Sequence, residues 1–98
     1  MVSKLHIPYD VLAELCERYH IRRLALFGSI LRDDFGPESD VDVLVEFEPG
    51  HVPGFIGMAA IELEMSHILG RKVDLRTPAE LSRYFRRQVL EEAEVVYG

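Results

Sequence analysis

The sequence predicts a small α/β domain, and three observations carry that prediction. Residues 40–47, DVDVLVEF, alternate with the period of a strand. Residues 23–27 and 72–76 are shorter strand-like runs, each ending at a turn or capping residue. Between and after them, residues 8–19, 55–69 and 77 onward place apolar side chains at helical spacing. A chain of 98 residues supports one core, so residues 1–98 are expected to form a single domain with a shallow site and no second substrate-binding domain.

The first helix is expected over residues 8–19, PYDVLAELCERY, with Pro8 in its first turn and Val11, Leu12, Leu15, Cys16 and Tyr19 along one stripe. Cys16 sits on that stripe with no activating neighbour, which makes it a core residue rather than a nucleophile. His6, His20, His51 and His67 show no metal-ligand spacing and read as surface or helix-end residues.

A short strand, Arg23 to Phe27, then stops at Gly28-Ser29 and passes into a turn over Ile30 to Asp33. Gly28 lets the backbone approach a ligand, and Ser29 offers a hydroxyl and an amide at the start of the turn, an arrangement that suits a phosphate. In the next strand Val41, Val43, Val45 and Phe47 share one face while Asp40, Asp42 and Glu46 share the other, with Leu44 among them. Side chains at i and i+2 lie about 6.6 Å apart at the backbone, so the carboxylates of Asp40 and Asp42 can hold divalent cations between them. Leu44 suggests burial on both faces, where unpaired acids are costly unless cations neutralise them. The pattern G-S, ten residues, D-x-D thus pairs a phosphate cradle with a metal clamp, the two parts needed to bind a nucleoside triphosphate with magnesium.

Glu48 to Gly54 holds two prolines and two glycines and reads as a loop. The helix that follows, Phe55 to Leu69 closed by Gly70, carries two apolar stripes: Ile56, Ala59, Ala60 and Leu63, and separately Met58, Ile61, Met65, Ile68 and Leu69. One stripe covers the sheet, and the second, Met58, Ile61, Met65 and Leu69, is expected to face another protein chain. Residues 72–76 form a further strand in which Asp74 points away from Val73 and Leu75. Thr77, Pro78 and Glu80 then supply an N-cap, a first-turn proline and a capping box for a fourth helix. That helix is expected to reach about Glu94, with Leu81, Tyr84, Phe85, Val89 and Leu90 inward and Arg83, Arg86 and Arg87 outward, before an apolar edge strand at the tail.

The net charge of −6 argues against a nonspecific grip on nucleic acid. The single cysteine excludes an internal disulfide, and no apolar run is long enough to span a membrane. With no secretory leader recognisable, a cytoplasmic location is expected.

Gly28, Ser29, Asp40 and Asp42 match the signature of the DNA polymerase β-like nucleotidyltransferase superfamily, and the chain resembles one of its minimal nucleotidyltransferase (MNT) domains. The resemblance spans Arg23 to Thr77 and departs from the common G-S-x-A-R-G turn at Leu31 and Asp33. It implies a small mixed β-sheet packed with helices, and a third carboxylate on a later strand, here Asp74. It implies that Asp40 and Asp42 ligate two Mg2+ ions bridging ATP, that Asp74 ligates one and helps deprotonate the acceptor, and that Gly28 and Ser29 hold the β and γ phosphates. Stand-alone MNT domains resemble antitoxins that transfer AMP to a tyrosine of a HEPN-domain ribonuclease toxin. The partner implied is therefore a HEPN toxin, with a homodimer as the other candidate assembly and no direct nucleic acid or membrane contact. A non-catalytic antitoxin that occludes its toxin is the main alternative, and an aminoglycoside-type transferase is weaker because those relatives carry an added domain.

Overall fold

The alternating run becomes β2, Val41–Phe47, one of the two central strands of a four-stranded sheet. The computed structural model describes residues 5–98. Helix α1 spans Tyr9–Arg18, and β1 spans Ile21–Phe27, two residues longer at its start than the apolar run suggested. A 3-10 turn, Gly28–Leu31, and a loop lead to β2. Helix α2, Phe55–Leu69, then connects β2 to β3, Val73–Arg76. A second 3-10 turn, Pro78–Glu80, precedes α3, Arg86–Glu92, and β4, Glu94–Tyr97. The strand order is β3-β2-β1-β4; β1 runs antiparallel to both β2 and β4, while β2 and β3 are parallel, so the sheet is mixed as expected.

One face of the sheet holds the core. Val41, Val43, Val45 and Phe47 of β2 join Leu24 and Leu26 of β1 and Val73 and Leu75 of β3. Leu12, Leu15 and Cys16 of α1 and Ile61, Met65 and Leu69 of α2 pack onto them. On the opposite face Ala25 and Leu44, register partners, are both buried, which accounts for the apolar residue among the acids. Helix α1 buries a narrower stripe than its pattern suggested: Val11 is exposed and Tyr19 only partly covered. Gly70, in the left-handed conformation at φ 68°, ends α2 as the sequence indicates, and the Arg71 amide donates back to the Ser66 carbonyl at 3.2 Å.

Two expectations are corrected. The stripe Met58, Ile61, Met65 and Leu69 is not an interface: Ile61, Met65 and Leu69 are core and Met58 packs against it. The surplus stripe is the other one, where Ile56 is 85% exposed and Leu63 73% exposed, with Phe55 at the helix start 92% exposed. The fourth helix is also interrupted. The Thr77–Glu80 capping box forms, with the Thr77 amide donating to Glu80 Oε1 at 3.0 Å, but it begins only the 3-10 turn. Leu81 is extended, and Ser82 restarts the chain by accepting amide protons from Phe85 and Arg86 at 3.0 and 2.9 Å on its carbonyl. Serine competes for backbone groups inside helices and favours their starts, which explains the break. Tyr84, Phe85 and Leu90 are consequently exposed rather than inward, and α3 has no buried residue. Arg86 is not outward either: its guanidinium folds back to donate to the carbonyls of Pro78 at 2.9 Å and Leu81 at 3.0 Å. Arg87 does pair with Glu91, at 3.1 Å.

Truncating one residue from each stripe of α2 tests this orientation. Met65→Ala should cost about 2–5 kcal/mol, as for other large-to-small core changes, whereas Leu63→Ala should stay within about 0.5 kcal/mol. Urea unfolding of the two variants reads the difference, and equal losses would place both stripes in contact with the core.

Candidate active site

The register of three strands assembles the site. In the antiparallel pair Phe27 of β1 lies opposite Asp42 of β2, and in the parallel pair Asp42 lies beside Asp74 of β3. Two carboxylates are therefore neighbours on the sheet face away from the core, directly where β1 turns at Gly28. Asp40 immediately precedes β2 and is exposed, while Asp42 is half-buried. Ile30, 1% exposed, anchors the 3-10 turn in the core, so Gly28 and Ser29 are held in place.

Gly28 is required twice over. Its φ of 77° lies in the left-handed region, and a Cβ there would overlap the Asp42 carboxylate. That close approach lets the Ser29 backbone N–H donate to Asp42. The amide that the sequence offers to a phosphate thus serves, in this structure, the carboxylate beside it.

Burial pushes the Asp42 carboxyl above its ordinary value, the negative charge of Asp74 pushes it further, and the Ser29 hydrogen bond works against both. Asp40 adds a smaller repulsion, and Arg76 a smaller attraction. Asp74 itself faces Arg76, whose Nη2 lies 3.3 Å from Oδ2, an ion pair between half-exposed groups. Residues at i and i+2 of a strand share a face, so this pairing was readable in RKVDLR.

The loop before β2 is tied down by a residue the sequence did not single out. The Arg71 Nη2 group donates to the carbonyl oxygens of Gly36 at 2.6 Å and Ser39 at 2.7 Å, and the guanidinium lies 4.6 Å from the centre of the Phe35 ring. A clamp on backbone carbonyls leaves no side-chain pattern to read. The cavity nearest the turn, about 700 Å³, is lined by Phe27, Gly28, Arg32, Phe85 and Gln88 among others; its lining takes in Gly28 but none of the three acids.

The donor chemistry suits a hard divalent cation: carboxylate oxygens, one of them partly desolvated, held side by side against their own repulsion. The convergence is incomplete, for among the described residues no three His, Cys, Asp or Glu side chains come together closely enough to hold a metal. Asp42 and Asp74 are brought together by register; Asp40 stands at the start of β2, and Asp74 is engaged by Arg76. Cys16 plays no part: burial pushes its thiol up to about 12, which keeps it protonated in the core.

Comparison with known proteins bears on the family and the fold. Residues 9–96 match the nucleotidyltransferase domain family. The protein adenylyltransferase MntA of Thermococcus cleftensis is 37% identical over 84 residues, 86% of this chain and 81% of the relative. A solved structure provisionally described as a minimal nucleotidyltransferase superposes with a TM-score of 0.71 at 34% identity, covering 87% of this chain and 85% of the other. The fold is shared more distantly with one chain of the solved complex of a tri-AMPylated Shewanella oneidensis HEPN toxin with an MNT antitoxin, at a TM-score of 0.65 and 18% identity over 92% of this chain and 69% of that one.

A carboxyl raised in the folded state favours folding most when protonated. Its contribution is fully present below about pH 4, the ordinary carboxylate range, and is lost as pH rises through the folded value. Asp42→Asn should therefore melt higher than the wild-type protein at neutral pH without divalent cations, and the gain should shrink towards acid pH. Thermal melts across that range check the sign, and a variant less stable at neutral pH would show that Asp42 is held chiefly by favourable contacts.

Proposed function

The chain belongs to the nucleotidyltransferase domain family, and on that premise we propose that it transfers AMP from ATP, with magnesium, to a tyrosine hydroxyl of a cognate HEPN-domain toxin and so serves as the antitoxin. The observation that carries this is the register that sets Asp42 beside Asp74 next to the Gly28-Ser29 turn. Asp40 and Asp42 would hold the metal, joined by Asp74 once Arg76 releases it. When bound, magnesium would neutralise the triphosphate and draw charge from the α-phosphorus. Gly28 and Ser29 would keep the β and γ phosphates against the end of β1. Asp74 would take the proton of the incoming hydroxyl as its oxygen bonds to the α-phosphorus and the bond to the β-phosphate oxygen breaks, releasing pyrophosphate.

The relatives support this reading from two sides. One is named a protein adenylyltransferase, and a distant structural neighbour comes from a complex of an AMPylated HEPN toxin with an MNT antitoxin. The surface supports a protein partner as well, since Ile56 and Leu63, exposed on one side of α2, are surplus to the fold, and Phe55 is exposed at the helix start. No helix among the described residues is long and apolar enough to cross a membrane.

A second reading has its own support. An antitoxin that works by occlusion needs the apolar stripe but no preformed metal cluster, and among the described residues there is none. Incubation of this protein with a candidate HEPN-domain partner, ATP and magnesium separates the two. The catalytic reading expects a mass increase of one AMP group, reduced about 100-fold or more by Asp74→Asn and abolished by combined Asp40→Ala and Asp42→Ala. Neutralisation without any mass change would establish occlusion.

The docking face is tested separately. Ile56→Glu with Leu63→Glu should weaken association by about tenfold or more, because a desolvated apolar contact would have to take in two charges, while the melting temperature of the isolated chain stays nearly unchanged. Calorimetric titration of partner into variant reads it, and wild-type affinity would move the interface elsewhere.

A further inference from the structure

We propose that Arg71 is a positioning residue for the metal site, acting through the loop that delivers Asp40. This rests on the reading of Asp40 as a metal ligand. Asp40 lies outside β2 and is exposed, so the strand alone does not fix it. Its position follows from its neighbours. On one side the Val41 amide donates to the Lys72 carbonyl at 2.8 Å, which starts the pairing of β2 with β3. On the other side Ser39 closes a small turn, its amide donating to the Gly36 carbonyl at 3.1 Å and its hydroxyl accepting from the Gly36 amide at 3.0 Å.

Arg71 completes that turn. One nitrogen donates to both Gly36 and Ser39 carbonyls, at 2.6 and 2.7 Å, and the guanidinium face covers Phe35, which packs against the core. Arg71 and Lys72 are consecutive, so the same short segment grips the chain on both sides of Asp40. Charged donors on carbonyl oxygens make stronger bonds than neutral ones, and a half-buried guanidinium over a ring face gains further. The segment enters β3 two residues later, where Asp74 stands. A single segment therefore sets the spacing between the loop-borne acid Asp40 and the strand-borne acid Asp74. Groups that orient metal ligands without touching the metal typically account for a 10–100-fold difference in metal affinity.

The test is Mn2+ binding by electron paramagnetic resonance on the full chain, with a non-hydrolysable ATP analogue present. Arg71→Ala should raise the Mn2+ dissociation constant about tenfold or more. Arg71→Lys should restore most of the affinity, because a single nitrogen makes both bonds. Arg18→Ala, which removes an exposed ion pair with Glu64 between α1 and α2, should leave it unchanged. In the wild-type protein the Ser39 and Val41 amides should exchange slowly with solvent, and in Arg71→Ala the Ser39 amide should exchange faster. Unchanged Mn2+ affinity in Arg71→Ala, or no recovery in Arg71→Lys, overturns the proposal while leaving the nucleotidyltransferase reading intact. Should Arg71→Ala fail to fold, rapid Ser39 and Val41 exchange in the wild-type protein overturns it instead. Failure of the wild-type protein to bind Mn2+ at all removes the metal reading itself and this inference with it.

Discussion

The repulsion between Asp42 and Asp74 is the constraint around which the site is arranged. The parallel pairing of β2 with β3 puts the two carboxylates at the same level, and burial withholds from Asp42 much of the water that would screen them. The structure offsets this in two ways. The Ser29 amide donates to Asp42, and Arg76 stands against Asp74. Both are partial, since the Asp42 carboxyl stays above its ordinary value. A fold selected only for stability would place an apolar or neutral residue at position 42, and the acid held there is the feature on which the proposed cation site rests.

The other requirements follow in sequence. Asp42 can be approached by the backbone of residue 28 only if that residue has no side chain, so Gly28 is fixed by the acid opposite as much as by its own dihedral angles. The turn can stay against Asp42 only if it is anchored, and Ile30 supplies the anchor from the core side. The core in turn depends on the strict alternation of β2, since a slip of one residue would carry Val41, Val43 and Val45 to the face of the acids. Register, core and site are thus one decision.

Much of this was legible because period-two and glycine signals are local. β2, the turn at Gly28-Ser29, and Asp74 opposite Val73 and Leu75 all stand where the residues indicate, and the edge strand at the tail is β4. The failures share a different cause. A capping box at Thr77–Glu80 announces a helix but not its length, and Ser82 ended it within a turn. The Arg71 clamp acts on carbonyl oxygens, which every residue carries, so no side-chain pattern marks its targets. The inward stripe of α2 was misassigned because both stripes are apolar, and periodicity alone cannot rank them.

Part of what ranks them is polar. β3 is an edge strand, and the amides of Val73 and Leu75, on the side away from β2, receive partners from α2: Val73 donates to Ser66 Oγ at 2.9 Å and Leu75 to Glu62 Oε2 at 2.8 Å. At about 100° per residue, Glu62 and Ser66 share a helix face with Met58, Met65 and Leu69, whereas Ile56 and Leu63 lie about 100–120° around from Glu62. Turning α2 to bury Ile56 and Leu63 would carry Glu62 and Ser66 away from β3 and leave two amides of buried residues without partners, at about 1–3 kcal/mol each. The two apolar stripes also differ in size, since Met58, Ile61, Met65, Ile68 and Leu69 are all large whereas Ala59 and Ala60 stand with Ile56 and Leu63, so hydrophobic burial and the polar partners favour the same face. The edge of the sheet reinforces that choice, protecting β3, the strand that holds Asp74, and leaving Ile56 and Leu63 outward.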